Sequence, residues 1–254
     1  MRRLASVVAG ALVLAAIVAG CGSDDSGSDK PTVTVSAAAS LKSAFPECAK
    51  QFKDADLKFS FAGSDELAAQ IRQGAKPDLF ASANTKLPAQ LAAEGKLDKP
   101  QVFAGNRLVI AVPKDSSISS IQDLEKPGTS VVIGSKTVPI GDYTRKVLGR
   151  LPTAQEAAIT RNVKSQEPDV AGIVGKLTQG AADAGFTYVT DVVATTGALK
   201  AVELRANLQP AVAYAAGIVN GTDHQKEAQA FLDDVISGPC RQVMQEAGFT
   251  PAPS

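Results

Sequence analysis

Apolar or alternating runs bounded by turn residues, each followed by an amphipathic stretch, recur along most of this chain. The strand-like runs are TVTVSA (32–37), LKFSFA (57–62), DLFASA (78–83), RLVIAVP (107–113), SVVIG (130–134), ADAGFTY (182–188) and AVAYAAGIV (211–219). Helical patterns cover 41–54, 65–74, 85–95, 141–150, 169–180 and 224–236. Strands separated by helices of this length form βαβ units rather than hairpins, so the spacing predicts an α/β fold with mainly parallel sheets. Pro46 falls inside the first helical pattern and is tolerated only near a first turn, where its missing N–H has no partner to lose.

The roughly 230 residues beyond the first twenty are many for one compact core and suit two lobes of about 100–130 residues each. Residues 103–117 and 203–219 read as crossings between lobes. Two crossings put both chain ends in one lobe and make the other an insertion. The expected division is 31–112 plus 211–254 for lobe 1 and 113–210 for lobe 2.

Arg2 and Arg3 precede an almost unbroken small and apolar stretch over 4–19, and VAGC follows at 18–21. That order reads as a secretory signal peptide over 1–20. A permanent span is the alternative, but the apolar run is short for the ~20 residues a membrane helix needs, and Gly20-Cys21 interrupts it. A cysteine after a small pair matches the lipobox of bacterial lipoproteins, which implies cleavage before Cys21, acylation of its thiol and attachment to the cell membrane from the extracytoplasmic side. GSDDSGSDK (22–30) is too polar to pack and suits a flexible tether, so 21–30 is expected to link the lipid to the folded body.

The chain has 26 Lys plus Arg against 26 Asp plus Glu. Loss of Arg2 and Arg3 with the leader, which carries no acid, moves the formal charge from 0 to −2. No basic patch emerges to hold nucleic acid. With Cys21 acylated, Cys48 and Cys240 remain in an exported protein; a Cys48–Cys240 bridge is expected, with two separate buried thiols as the alternative. Such a bridge would tie an early helix to the last one within a single lobe.

The strand-to-helix junctions are where chemistry would concentrate. At SAAAS (36–40) a strand runs through small residues into a helical pattern, making Ser40 a candidate N-cap whose hydroxyl and following N–H groups face outward. In FAGSDELAAQI (61–71), Ser64 occupies a similar place. Two helix N-termini at one sheet edge form an anion site without a basic residue, although for each serine alone plain capping is the simpler reading. Pro139 and Gly141 bracket Ile140 before another helix, Pro168 precedes Asp169 and Val170 at the next, and Tyr188 stands at a strand exit.

Enzyme signatures are scarce. His224, the single histidine, lies in a polar turn far in sequence from these serines. There is no Gly-x-Ser-x-Gly elbow, Ser-x-x-Lys or Walker-type phosphate loop, and no cysteine-histidine spacing for zinc.

AAASL (37–41), FAGSDELAAQI (61–71), PDLFASAN (77–84), GNRLVIAVP (105–113), VPIGDY (138–143), EPDVAGIV (167–174), GFTYVTDVV (185–193) and Gly248-Phe249 occur in an order that resembles the bacterial molybdate-binding proteins, the extracytoplasmic receptors of molybdate ABC transporters. The resemblance spans residues 32–250. It implies a two-lobed type II periplasmic binding protein fold, no enzyme activity and no cofactor. The implied ligand is molybdate or tungstate, held as an oxyanion with no direct cation ligands and handed on to an ABC permease by a monomeric receptor. Carried over motif by motif, Ser40 and Ser64 would give hydroxyl and main-chain donors, Ile140 and Val170 backbone N–H groups, and Tyr188 its phenol. This chain departs from the pattern in having Gly63 and Asp65 around Ser64, where relatives often have a further serine or threonine, and a bulky Ile140, whose side chain should face away. Other readings keep the fold with sulfate or phosphate as ligand, or make the chain a secreted serine hydrolase; the latter lacks histidine and lysine partners.

Overall fold

The computed structural model describes residues 30–253. The expected signal peptide, Cys21 and all of the tether but Lys30 lie outside the described residues. The strands are β1 (Thr32–Ala38), β2 (Asp56–Ala62), β3 (Leu79–Ser82), β4 (Gln101–Asn106), β5 (Leu108–Pro113), β6 (Val131–Gly134), β7 (Val163–Glu167), β8 (Ala184–Tyr188), β9 (Leu199–Glu203) and β10 (Val212–Ile218). The helices are α1 (Phe45–Gln51), α2 (Ser64–Arg72), α3 (Lys86–Ala93), α4 (Pro139–Leu148), α5 (Thr153–Asn162), α6 (Val170–Thr178), α7 (Val189–Ala194), α8 (Gln225–Ser237) and α9 (Pro239–Glu246).

Two five-stranded sheets result, ordered β2-β1-β3-β10-β4 and β7-β6-β8-β5-β9. Each has a parallel block of three strands, completed by a pair of strands that carry the chain between lobes. The inner strand of that pair, β10 in one sheet and β5 in the other, runs antiparallel to both neighbours. It must do so because it arrives from the other lobe, at the end where the parallel strands finish. The two sheets are thus the same arrangement used twice, and the fold is α/β and two-lobed.

The first crossing falls inside the expected segment 103–117, but the lobe boundary lies earlier than the expected 112/113. β5 pairs with β8 and β9, so the chain changes lobe at Asn106–Arg107 and residues 107–112 belong to the second lobe rather than the first. The sequence shows one strong apolar run where there are two strands parted by a single residue; β4 is exposed over Gln101 and Val102 and its pattern is weak. The return lies between Glu203 and Val212. The strands that the pattern missed, β4, β7 and β9, each sit at a sheet edge. There one or both faces meet solvent, and β7 alternates half-buried and exposed residues without one fully buried position.

The expected helix from residue 41 also starts later. Ala39–Leu41 form a single 3-10 turn, and α1 begins at Phe45 with Pro46 in its first turn, where proline is tolerated. The lobe 1 core gathers Phe45 against Phe231, Phe59 and Phe103, with ring centroids 5.4, 5.9 and 6.1 Å apart. Beside it a Cys48–Cys240 disulfide, with Cα atoms 4.9 Å apart, joins α1 to α9. The bridge links segments 192 residues apart and so fastens the two chain ends around the inserted lobe. Among the described residues no helix is long and apolar enough to cross a membrane.

Candidate functional site

A small cavity, of about 20 Å³, lies between the lobes, at the carboxyl ends of the parallel strands, where open α/β sheets place their ligands. Lobe 1 contributes Ala38, Ala39 and Ser40 at the end of β1, Ala62, Gly63 and Ser64 at the end of β2, and Ala83 after β3. From lobe 2 come Val138, Pro139 and Ile140 after β6, Asp169 and Val170 after β7, and Tyr188 at the end of β8. Ser40, Ser64, Ile140, Val170 and Tyr188 therefore meet on one surface, although the chain separates the first from the last by well over half its length.

The small residues have a local reason. Alanine at 38, 39, 62 and 83 leaves room between the sheet ends, so that backbone rather than side chain forms much of the wall. Three helices, α2, α4 and α6, begin at this wall. The first intrahelical backbone donors of α2 and α4 are Leu67 and Asp142, bonded to Gly63 and Val138. The N–H groups of Ser64 and Ile140 lie ahead of them in the unpaired first turn, with the positive end of each helix dipole. Gly141 makes the α4 approach possible: a Cβ there would stand 1.7 Å from the Ser135 carbonyl oxygen. Ile140 turns its side chain onto the end of β6, with Cγ2 2.6 Å from where a Cβ on Gly134 would be, as its bulk had suggested.

The hydroxyls differ in their partners. Ser40 is not the N-cap of an α-helix, as the junction had suggested; it sits in the 3-10 turn and its Oγ pairs with the Tyr214 hydroxyl at 2.8 Å. Ser64 occupies the first turn of α2 with Gly63 as cap, and its Oγ accepts from the Ala83 N–H at 3.2 Å. This bond leaves the Ser64 proton free to be donated. Tyr188 is 1% exposed and its hydroxyl has no hydrogen-bond partner among the described residues. Burial holds its pKa well above the ordinary tyrosine value, so it stays a neutral donor. Its ring meets those of Tyr214 and Tyr143 edge-on, with centroids 5.8 and 6.4 Å away.

Among the described residues no Lys, Arg or His lines the cavity, and the one acid that does, Asp169, points its Oδ1 at the Gly172 N–H, 2.9 Å away, as the N-cap of α6. Asp65 is half-buried and stands outside the lining. Behind Tyr188, the half-buried Asp191 accepts the Tyr188 backbone N–H at 3.0 Å, which fixes the turn from β8 into α7. Among the described residues no group of three or more His, Cys, Asp or Glu is placed to hold a metal ion. Tyr214 and Asn106, which stand behind Ser40, carried no signal in the sequence, because each lies within or at the end of a strand rather than at a strand-to-helix junction.

The bacterial extracellular solute-binding protein family matches residues 33–250. The molybdate-binding protein ModA of Mycobacterium tuberculosis is 34% identical over 260 aligned positions, covering 97% of each chain. Among solved structures, the periplasmic molybdate-binding protein of Azotobacter vinelandii gives a TM-score of 0.77 at 20% identity, covering 87% of this chain and 100% of that one. The sulfate-binding protein SubI of M. tuberculosis gives 0.74 at 20% identity, covering 87% of each. At that identity the two structures show the fold alone.

Two expectations follow from this geometry. A Cβ on Gly63, in lobe 1, would sit 2.6 Å from the Pro168 carbonyl oxygen of lobe 2. Gly63→Ala therefore sets a cost on the order of 1–3 kcal/mol against the lobes standing this close. Small-angle scattering should give a larger radius of gyration than the parent; an unchanged radius would contradict the contact. The second concerns Asp191, whose pKa burial pushes from the ordinary 3.8 up to about 7. The folded state then holds a proton that the unfolded chain has released, so stability falls as pH rises from about 4 to about 7. Compared with Asp191→Asn, melting temperatures of the parent should decline across that window, and parallel curves would count against it.

Proposed function

This chain belongs to the bacterial extracellular solute-binding protein family, and from that premise we infer that it captures molybdate, and tungstate with it, and delivers the ion to an ABC permease. The observation that carries the reading is the buried Tyr188 hydroxyl, a donor without a partner at the wall of a cavity that no cation lines. A buried polar group left unpaired costs about 1–3 kcal/mol, and a ligand that accepts from it offsets that cost. The ligand class follows from what surrounds it: hydroxyls and helix N-termini with no cationic side chain suit a tetrahedral dianion.

In this reading Ser40, Ser64 and Tyr188 donate through hydroxyls, and Ser64, Ile140 and Val170 through backbone N–H groups. Hydrogen bonds to an ionised acceptor are roughly twice as strong as neutral ones, and several of them replace the shell of water the anion gives up. The absence of a full positive charge from the wall lets the ion leave again for the permease. Molybdate and tungstate have longer metal–oxygen bonds than the S–O and P–O bonds of sulfate and phosphate. Donors held by two rigid sheets cannot contract onto the smaller ions, and a protonated phosphate brings a donor to a site made of donors.

The signal peptide, the acylated Cys21 and the tether over 21–30 would hold the receptor at the outer face of the cell membrane, as a monomer facing its permease. A serine hydrolase is the weaker reading: Ser40 pairs with a tyrosine and Ser64 with a backbone N–H, so neither hydroxyl has a base to activate it.

Titration calorimetry with sodium molybdate, repeated in excess sulfate, tests this function. Tight binding that sulfate does not displace is expected; a preference for sulfate would overturn the ligand. Tyr188→Phe separates binding from folding. It should weaken molybdate by about 10- to 100-fold, the worth of a bond to a charged acceptor. The ligand-free protein should melt no lower than the parent, because the variant deletes an unpaired buried group.

A further inference from the structure

We propose that Asn106 and Tyr214 are positioning residues that turn the Ser40 proton into the cavity and make Ser40 an obligate donor. The inference rests on the reading of the cavity as an oxyanion site and adds two residues that stand behind its wall.

Asn106 is buried at the end of β4, where the chain leaves lobe 1. Its Oδ1 accepts the Arg107 backbone N–H at 2.8 Å, and that bond settles which way the amide faces. Nδ2 is thereby directed at two hydroxyls, Thr190 Oγ1 at 3.0 Å and Tyr214 Oη at 3.4 Å. An amide NH₂ can only donate, so the Tyr214 oxygen is the acceptor in that pair. The phenol proton must then go to the other neighbour, Ser40 Oγ, 2.8 Å away. Were Ser40 to donate instead, the Tyr214 proton would be left facing an NH₂ group inside a fully buried site.

Burial also holds the Tyr214 pKa well above the ordinary value, so the proton is present at any physiological pH. With a lone pair engaged by Tyr214, Ser40 sends its own O–H toward the cavity that it lines. The donors run in one direction, from Asn106 to Tyr214 to Ser40 to the anion, and each polarises the next. Such a chain offers a proton at Ser40 and withholds a lone pair. It therefore discriminates against oxyanions that carry a proton of their own, such as monohydrogen phosphate. Thr190 lies in the first turn of α7 in lobe 2, so the Asn106 amide also bridges the lobes beside the first crossing.

A double-mutant cycle on the full chain tests the relay, with sodium molybdate as titrant. Tyr214→Phe should raise Kd about 5- to 20-fold in the parent, the worth of one oriented hydrogen bond, and less than about twofold in a Ser40→Ala background, since sites that act through one another are not additive. An equal penalty in both backgrounds would overturn the assignment.

Asn106→Asp gives a second cycle that does not depend on how Tyr214→Phe folds. Its carboxylate accepts the Tyr214 O–H as a hydrogen bond, so Ser40 donates to the phenol oxygen instead of to the cavity and the chain is reversed; adding Ser40→Ala should then leave Kd unchanged or lower it. The same loss on adding Ser40→Ala as in the parent would again refute the relay. If the parent binds sulfate and not molybdate, the ligand identity falls while the cycle with sodium sulfate still decides the relay. A parent that binds neither ion overturns both.

Discussion

Everything in this molecule turns on keeping hydrogen-bond donors unpaired in a dry place. The Tyr188 hydroxyl is shut in between two lobes with nothing among the described residues to accept from it. Left to relax, such a group would find a carbonyl or water, and the N–H groups of Ser64, Ile140 and Val170 at the starts of α2, α4 and α6 would do the same. They stay directed at one cavity because each is mounted on an element that cannot move independently. Tyr188 ends an inner strand of the second sheet, Ser64 and Ile140 open helices packed on their sheets, and glycine and alanine remove the side chains that would fill the gap.

The scaffold supplies that rigidity by repeating one plan. Each lobe holds three parallel strands whose carboxyl ends face the other lobe, and each is completed by a strand arriving from its partner. Among the described residues the two crossings are the only covalent connections between the lobes, and the Cys48–Cys240 bridge secures the chain ends on one side of them. Gly63 near the Pro168 carbonyl and Asn106 on Thr190 show how closely the halves meet. A receptor of this kind needs lobes that separate and rejoin, and short crossings between rigid bodies are a common hinge.

The βαβ rhythm was legible because buried parallel strands and their covering helices have strong, distinct periods. The junction residues Ser40, Ser64, Ile140, Val170 and Tyr188 could be singled out because strand ends, small residues and helix starts mark them in the sequence. The edge strands β4, β7 and β9 were not legible, although the edge strand β2, which alternates along its length, was: β7, as VKSQE, has too little buried surface to impose a pattern. The crossing segment 103–117 was legible but not the point of change within it, since β4 is weakly patterned and only one residue parts it from the strong run of β5. Tyr214 and Asn106 reach Ser40 from 174 and 66 positions away, through a sheet order that only the folded chain reveals. That is why Ser40 read as a helix cap when its partner is a phenol across the sheet.

Anomalous diffraction at the molybdenum edge, from crystals grown with sodium molybdate, tests the central claim most directly. A single anomalous peak inside the interlobe cavity is expected, with oxygens within hydrogen-bonding distance of Tyr188 Oη, Ser40 Oγ and the Ile140 N–H, and no lysine or arginine in contact. A peak outside that cavity, or an ion there held by a cationic side chain while Tyr188 stays unpaired, would contradict the account.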